Sequence, residues 1–82
     1  MRIKIIRFHK ILYQKHIISI IAPGSRGYFQ ILENHAPFIS ILKYGFLKLE
    51  LEKDKNKKNV KKEIKIESGI LQVRKNIVIV IL

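Results

Sequence analysis

Hydrophobic and polar residues alternate with a period of two along much of the chain, which is the signature of half-buried β-strands. The clearest stretch is "FLKLELE": Leu47, Leu49 and Leu51 share one face, while Lys48, Glu50 and Glu52 share the other. It is predicted to be an antiparallel strand with one wet side. "VKKEIKIE" repeats the pattern with Val60, Ile64 and Ile66, and Lys62 falls on the apolar face, where it is tolerable only near a hairpin end that lets its ammonium reach water. Between them "KDKNKKN", residues 53–59, has no apolar residue and reads as a solvated hairpin loop. "RIKIIRF" alternates and then slips at Ile5-Ile6, which predicts a bulge or a sandwich edge. "HIISIIA" reads as a strand buried on both sides around Ile18 to Ile21. The chain closes with "ILQV" and "IVIVIL", separated by "RKN" and preceded by the Ser68-Gly69 break.

Turn chemistry is densest in "IIAPGSRGYFQILENHAP", residues 20–37. Pro23, Gly24 and Gly27 predict a tight reversal after a core strand. "LENHAP" predicts a second reversal after the short strand "YFQIL", and Pro37 keeps Ala36 extended and opens "FISILK" where no amide donor is needed. The two loops are expected to be neighbours presented by a rigid base. No amphipathic helix, linker, repeat or second domain is visible. The fold class that follows is all-β: a small two-sheet sandwich of about eight to ten short, mostly antiparallel strands, forming one domain over residues 1–82.

Composition changes this picture in three ways. Isoleucine dominates an apolar share of 48%, and β-branched side chains favour sheets. There is no cysteine, which excludes disulfides, thiolate metal sites and cysteine nucleophiles. No apolar run is long enough to cross a membrane as a helix, and Arg2, Lys4 and Arg7 interrupt the start in a way that does not suit a signal peptide, so a cytoplasmic location is expected. The net charge of +11 points towards nucleic acid or an anionic surface, but it is spread over both ends of the chain. Abundant Ile, Lys and Asn together also arise from AT-rich codon usage. Lysines of the 53–62 segment would contribute about 1 kcal/mol each next to acidic lipid head groups.

Taken in order, Ala22-Pro23-Gly24, Gly27, Phe29, Ile31-Leu32, His35-Ala36-Pro37, Leu42-Lys43, Gly45, Leu47, Ser68-Gly69, Leu71, Val73, Asn76, Val78, Val80 and Leu82 match one pattern. The ordered set resembles the N-terminal β-sandwich of the epsilon subunit of F-type ATP synthases. The resemblance implies a non-catalytic rotor subunit of the central stalk, coupling the gamma subunit to the ring of c-subunits on the cytoplasmic face of the bacterial inner membrane. It places a ring-facing loop at Ser25, Arg26, Gly27 and Tyr28, where an acidic residue common in the family is replaced by Tyr28. It places the gamma-facing surface at Arg7, His35 and Ser40, and gives Pro23, Gly24, Gly27, Pro37, Gly45 and Gly69 turn-building roles. Most bacterial relatives continue into a two-helix domain that inhibits ATP hydrolysis. This chain stops at Leu82, so neither helix insertion nor an ATP site is expected.

Other chemistries find little support. His35 has no acidic neighbour in sequence except Glu33, and His9 and His16 lie in the first hairpin, so a structural or interface role is expected and no metal or cofactor. Gly27 is followed by neither the lysine nor the helix of a phosphate-binding loop. One aspartate, no cysteine and no suitably spaced carboxylate pair leave acid-base and nucleophilic catalysis almost without an inventory. The alternative is a basic β module binding nucleic acid, but Phe8, Tyr13, Tyr28, Phe29, Phe38, Tyr44 and Phe46 show no base-stacking cluster in sequence.

Overall fold

A computed structural model describes residues 1–51 and 60–82. Eight strands follow in order: β1 (Arg2–Arg7), β2 (Lys10–Gly24), β3 (Gly27–Leu32), β4 (Phe38–Leu42), β5 (Gly45–Leu51), β6 (Val60–Ile66), β7 (Gly69–Arg74) and β8 (Ile77–Ile81). No helix occurs among the described residues. All pairings are antiparallel except β1 with β8, which run parallel through five residue pairs from Arg2↔Ile77 to Ile6↔Ile81.

β2 makes the two layers out of one chain. A straight strand of its fifteen residues would span about 50 Å at roughly 3.3 Å per residue. The molecule is only 36 Å in its longest direction, so β2 must bend. Its first half pairs with β1, and its second half with β3 and β5. The front sheet is therefore β3-β2-β5-β6 and the back sheet β2-β1-β8-β7-β4, with Gly24↔Leu42 closing the sandwich at one corner.

Every strand sends side chains into the space between the layers. Ile3 and Ile5 meet Ile17, Ile20, Ala22, Ile31, Leu42, Leu47, Leu49, Ile66, Leu71, Val73, Val78 and Val80 in one core, each buried. Full burial of such a side chain is worth about 1.5–3 kcal/mol, so this cluster holds the layers together. Leu47 and Leu49 point inward and Lys48 outward as their alternation predicts. Glu52 and the 53–59 segment lie outside the described residues. Lys62 sits opposite Leu49, and its ammonium lies 5.0 Å from the centre of the Tyr13 ring, where cation and aromatic face attract.

The bulge expected at Ile5-Ile6 is present: Ile5↔Tyr13 is followed by Ile6↔Ile11, so the extra residue is Leu12 of β2, with Ile5 facing the core and Ile6 facing out. Two sequence expectations need correction. The 17–22 segment is not buried on both sides: Ile18 is 36% exposed and Ile21 half-buried, because this part of β2 has an open outer surface. The two reversals of residues 20–37 are not neighbours, because the six residues of β3 separate them by about 20 Å and place them at opposite ends of the sandwich.

Candidate docking surfaces

The end holding the 24–27 reversal gathers turns from several strands. Gly24 pairs with Gly27 and Leu42, Leu42 with Gly69, and Gly45 with Ile66. The Lys43 amide donates to the Pro23 carbonyl (2.9 Å), and the Leu82 amide to the Ile6 carbonyl (2.8 Å). Ser25 and Arg26 are exposed at the tip, and Gly27 takes φ +123°, a conformation side chains resist. Tyr28 does not project with them. Its hydroxyl oxygen accepts a hydrogen bond from the Phe46 amide (3.1 Å), and Lys48 Nζ lies 5.4 Å from its ring centre. A Cβ on Gly45 would sit 2.6 Å from that hydroxyl and 2.9 Å from Pro23 Cβ, so the glycine is what lets β5 pass beneath the ring.

At the opposite end, Asn76 ties three segments. Its Oδ1 accepts from the Asn34 amide (2.9 Å) and its carbonyl from the Arg2 amide (3.1 Å). The Met1 ammonium, buried, pairs with Glu33 Oε1 at 3.1 Å. His35 is exposed: its Nδ1–H donates to the Ala36 carbonyl (2.7 Å), and its ring meets Phe38 edge-on at 5.7 Å. Glu33 is thus engaged with the chain start, and His35 with its own loop. Among the described residues no three His, Cys, Asp or Glu side chains gather where they could hold a metal ion.

The three residues Arg7, His35 and Ser40 do not form one cluster. Arg7 is at the turn end of β1, His35 at the Asn76 end, and Ser40 between them on β4, its hydroxyl donating to the Ile41 carbonyl (3.2 Å). They span the length of the back sheet.

The outer face of that sheet carries a feature sequence reasoning missed. Ile41 pairs with Ile70, Ile70 with Ile81, Ile81 with Ile6, and Ile6 with Ile11, so five outward isoleucines form one row across five strands. Ile41 is 68% exposed. The next row, Ile39-Gln72-Ile79-Lys4-Gln14, is mixed, and beyond it Arg74, Ile77, Arg2 and His16 make a largely basic row. The front sheet is different: its outer pairs Lys48↔Glu63 and Glu50↔Lys61 match opposite charges, which suits water. The signal lay in "IVIVIL" and in Ile5-Ile6, which are apolar at positions of both faces.

The aromatic residues are dispersed. Phe29 and Phe38 pack edge-on at 5.3 Å against the core, Tyr13 packs on it too, and Phe8 and Tyr44 stand on turns. This arrangement lacks the exposed aromatic strand face on which bases stack.

The small sandwich thus presents one apolar outer face and a turn-built end. The chain belongs to the family described as the ATP synthase delta/epsilon chain, β-sandwich domain, whose profile matches residues 1–82. It is 38% identical over 78 residues to an ATP synthase epsilon chain of Leptospira borgpetersenii, covering 95% of this chain and 57% of the relative. It is 35% identical over 75 residues to the epsilon chain of Chlorobium limicola, covering 92% and 80%. The fold is similar to a chain of the Euglena gracilis mitochondrial ATP synthase assembly of OSCP, F1 and c-ring (TM-score 0.83, 20% identity, 96% and 48% covered). A chain in the central stalk and c-ring structure of the Tetrahymena thermophila enzyme gives 0.75 at 15% identity, with 98% and 60% covered. The chain spans somewhat over half the length of the Leptospira relatives it matches.

Proposed function

We propose that this chain is a non-catalytic rotor subunit of a proton-translocating ATP synthase, held between the gamma subunit and the c-ring on the cytoplasmic face of a bacterial inner membrane. The observation that carries this reading is the isoleucine row on the back sheet. A soluble domain that stood alone would gain nothing from leaving five isoleucines on one outer face, whereas a permanent partner would remove them from water at about 25 cal/mol per Å². The gamma subunit is assigned to this outer face on the isoleucine row alone, because Ser40, between the outward Ile39 and Ile41 and paired with the buried Leu71, points to the inner side of β4. The 24–27 reversal, tied down by the Tyr28–Phe46 and Lys43–Pro23 hydrogen bonds, is assigned to the c-ring. Contact there relies on Ser25 and Arg26, since Tyr28 is folded back onto β5. Membership of the family and the likeness to chains of two ATP synthase assemblies, both of which include a c-ring, support the reading.

The test is co-purification with a tagged gamma subunit from the same organism, at low and high salt with nuclease present. A stoichiometric complex that survives high salt and is lost in Ile41→Lys/Ile70→Lys is expected. Recovery of nucleic acid that salt removes, with no gamma subunit bound, would replace the rotor with a basic nucleic-acid module.

A further inference from the structure

The isoleucine row is too small to be the whole of a stable contact. Five strands about 4.8 Å apart, each with one outward position per about 6.7 Å of its length, make the row about 24 Å by about 7 Å, or roughly 160 Å². A stable interface covers about 800 Å² on each partner. The contact must therefore spread to neighbouring rows. Towards the turn end the face stops one residue pair further on, at Arg7↔Lys10, and that end is assigned to the c-ring. The remaining direction on this face runs towards Asn76, across the mixed row and onto the row of Arg74, Ile77, Arg2 and His16, about 13 Å away.

That far row differs chemically from the rest of the face. Arg74 and Arg2 flank Ile77 on three adjacent strands, which sets the two exposed arginines about 10 Å apart. Two of the chain's four arginines stand here although its lysines number thirteen, so codon usage that favours lysine does not account for them. Each lines an open hollow of its own: Arg2 with Gln14, Lys15 and His16, and Arg74 with Gln72, Lys75, Ile77 and Ile79. Neither hollow is lined by an acidic residue, and none of the three rows contains one. No described carboxylate lies within ion-pair distance of Arg2, Lys4 or Arg74. On the front sheet, by contrast, Lys48 and Lys61 each stand opposite a glutamate. The back face is thus a cationic surface without balancing charge among the described residues.

An arginine covered by a partner needs a carboxylate in place of its water, and its planar fork takes one through two parallel hydrogen bonds. Phosphate would satisfy the same fork, but a nucleic-acid backbone does not cover the adjoining isoleucines. We propose that the gamma subunit carries two carboxylate side chains that enter these hollows and pair with Arg2 and Arg74, so that its contact is apolar beside the c-ring and ionic at the far end. This rests on the assignment of the gamma subunit to the back sheet and adds the chemistry of the surface it brings there. Two unlike ends also fix which way round the gamma subunit docks, since a reversed one would set its carboxylates against isoleucine.

The test is titration of the 82-residue chain with the tagged gamma subunit from the same organism, at low and at high salt. The control for diffuse charge is position. Arg2→Glu/Arg74→Glu reverses the far row, and Lys61→Glu/Lys65→Glu makes the same charge change on the front sheet; all four positions are exposed, so the fold does not depend on them. The first pair is expected to weaken gamma binding at low salt by about a hundredfold, and the second by about twofold or less. Salt is expected to restore part of the affinity of the first pair, because it screens the like charges then set against each other. Arg2→Lys/Arg74→Lys keeps the charge, loses the fork and is expected to weaken binding by about fivefold. Equal weakening by the two glutamate pairs, or none by either, would overturn the ionic contact and leave the rotor reading in place. No gamma binding by the unaltered chain would overturn the rotor reading and this contact with it. Binding of an RNA oligonucleotide that is lost in Arg2→Glu/Arg74→Glu, with gamma binding unchanged, would assign the arginines to nucleic acid and overturn the proposal too.

Discussion

At Gly45 a single missing methyl decides whether β5 can pass under Tyr28 and Pro23. Gly45→Ala places a carbon 2.6 Å from the Tyr28 hydroxyl and 2.9 Å from Pro23 Cβ, and one of the two segments must move. A loss of about 2 kcal/mol, as for other overpacked sites, is expected in urea unfolding. Tyr28→Phe in the same chain is expected to recover part of it, since it removes the nearer atom but leaves Pro23. Gly27 is a different case. No atom lies within 4 Å of its would-be Cβ, so Gly27→Val costs through the backbone alone, by about 1–3 kcal/mol at φ +123°. The distorted turn is expected to lower ATP synthesis when the variant is assembled into the complex. Tyr13 gives a pH signature. Burial raises its phenol above the ordinary 10.0, so above that pH the unfolded chain gives up the proton first and the folded chain holds it. Stability is complete below pH 10, is lost as pH rises through the folded value, and that part of the loss is expected to vanish in Tyr13→Phe when melts are compared across alkaline pH.

Hairpins show how far an element can be read from its residues. The β7–β8 turn uses Lys75 and Asn76 at φ 51° and 61°, and Asn76 suits the left-handed region while its side chain bonds the Asn34 amide. Asn76→Ala is expected to cost about 1–2 kcal/mol in chemical denaturation, because it removes that bond and leaves an ill-suited residue. The β1–β2 turn has the same geometry with Phe8 and His9. Phe8→Asn/His9→Gly is expected to raise stability by about 1 kcal/mol in chemical denaturation, since both new residues suit the positive φ of this turn. β5 and most of β6 were legible because water wets one face and the alternation is unbroken. β8 was legible as a strand, but which of its faces and of the middle of β2 meets water was not, because isoleucine on an outer face is indistinguishable in sequence from isoleucine in a core. The sandwich and its turns were readable from "FLKLELE", Pro23-Gly24 and Ser68-Gly69. Which end each turn occupies was not, since that depends on the direction of β3 and on pairings between distant strands. Tyr28 turning back onto Phe46 is another such long-range event.

The two sheets of the molecule meet the outside unequally. The front sheet offers matched charges and the back sheet its isoleucine row, so substitutions on the two faces should separate cleanly. Ile41→Lys/Ile70→Lys is expected to change stability by less than about 1 kcal/mol, since neither side chain is in the core, while reducing both gamma binding and any self-association seen in light scattering. The parallel pairing of β1 and β8 also fixes how the domain bears tension. Residue 2 and residue 81 lie at opposite ends of this pair, so pulling the chain by its two ends slides one strand along the other and loads all five residue pairs at once. Pulling on residues 7 and 82, which share an end, would peel the same bonds one after another. A single-molecule stretching measurement should therefore find a markedly higher rupture force along the first axis than along the second, so the domain resists strain in a chosen direction.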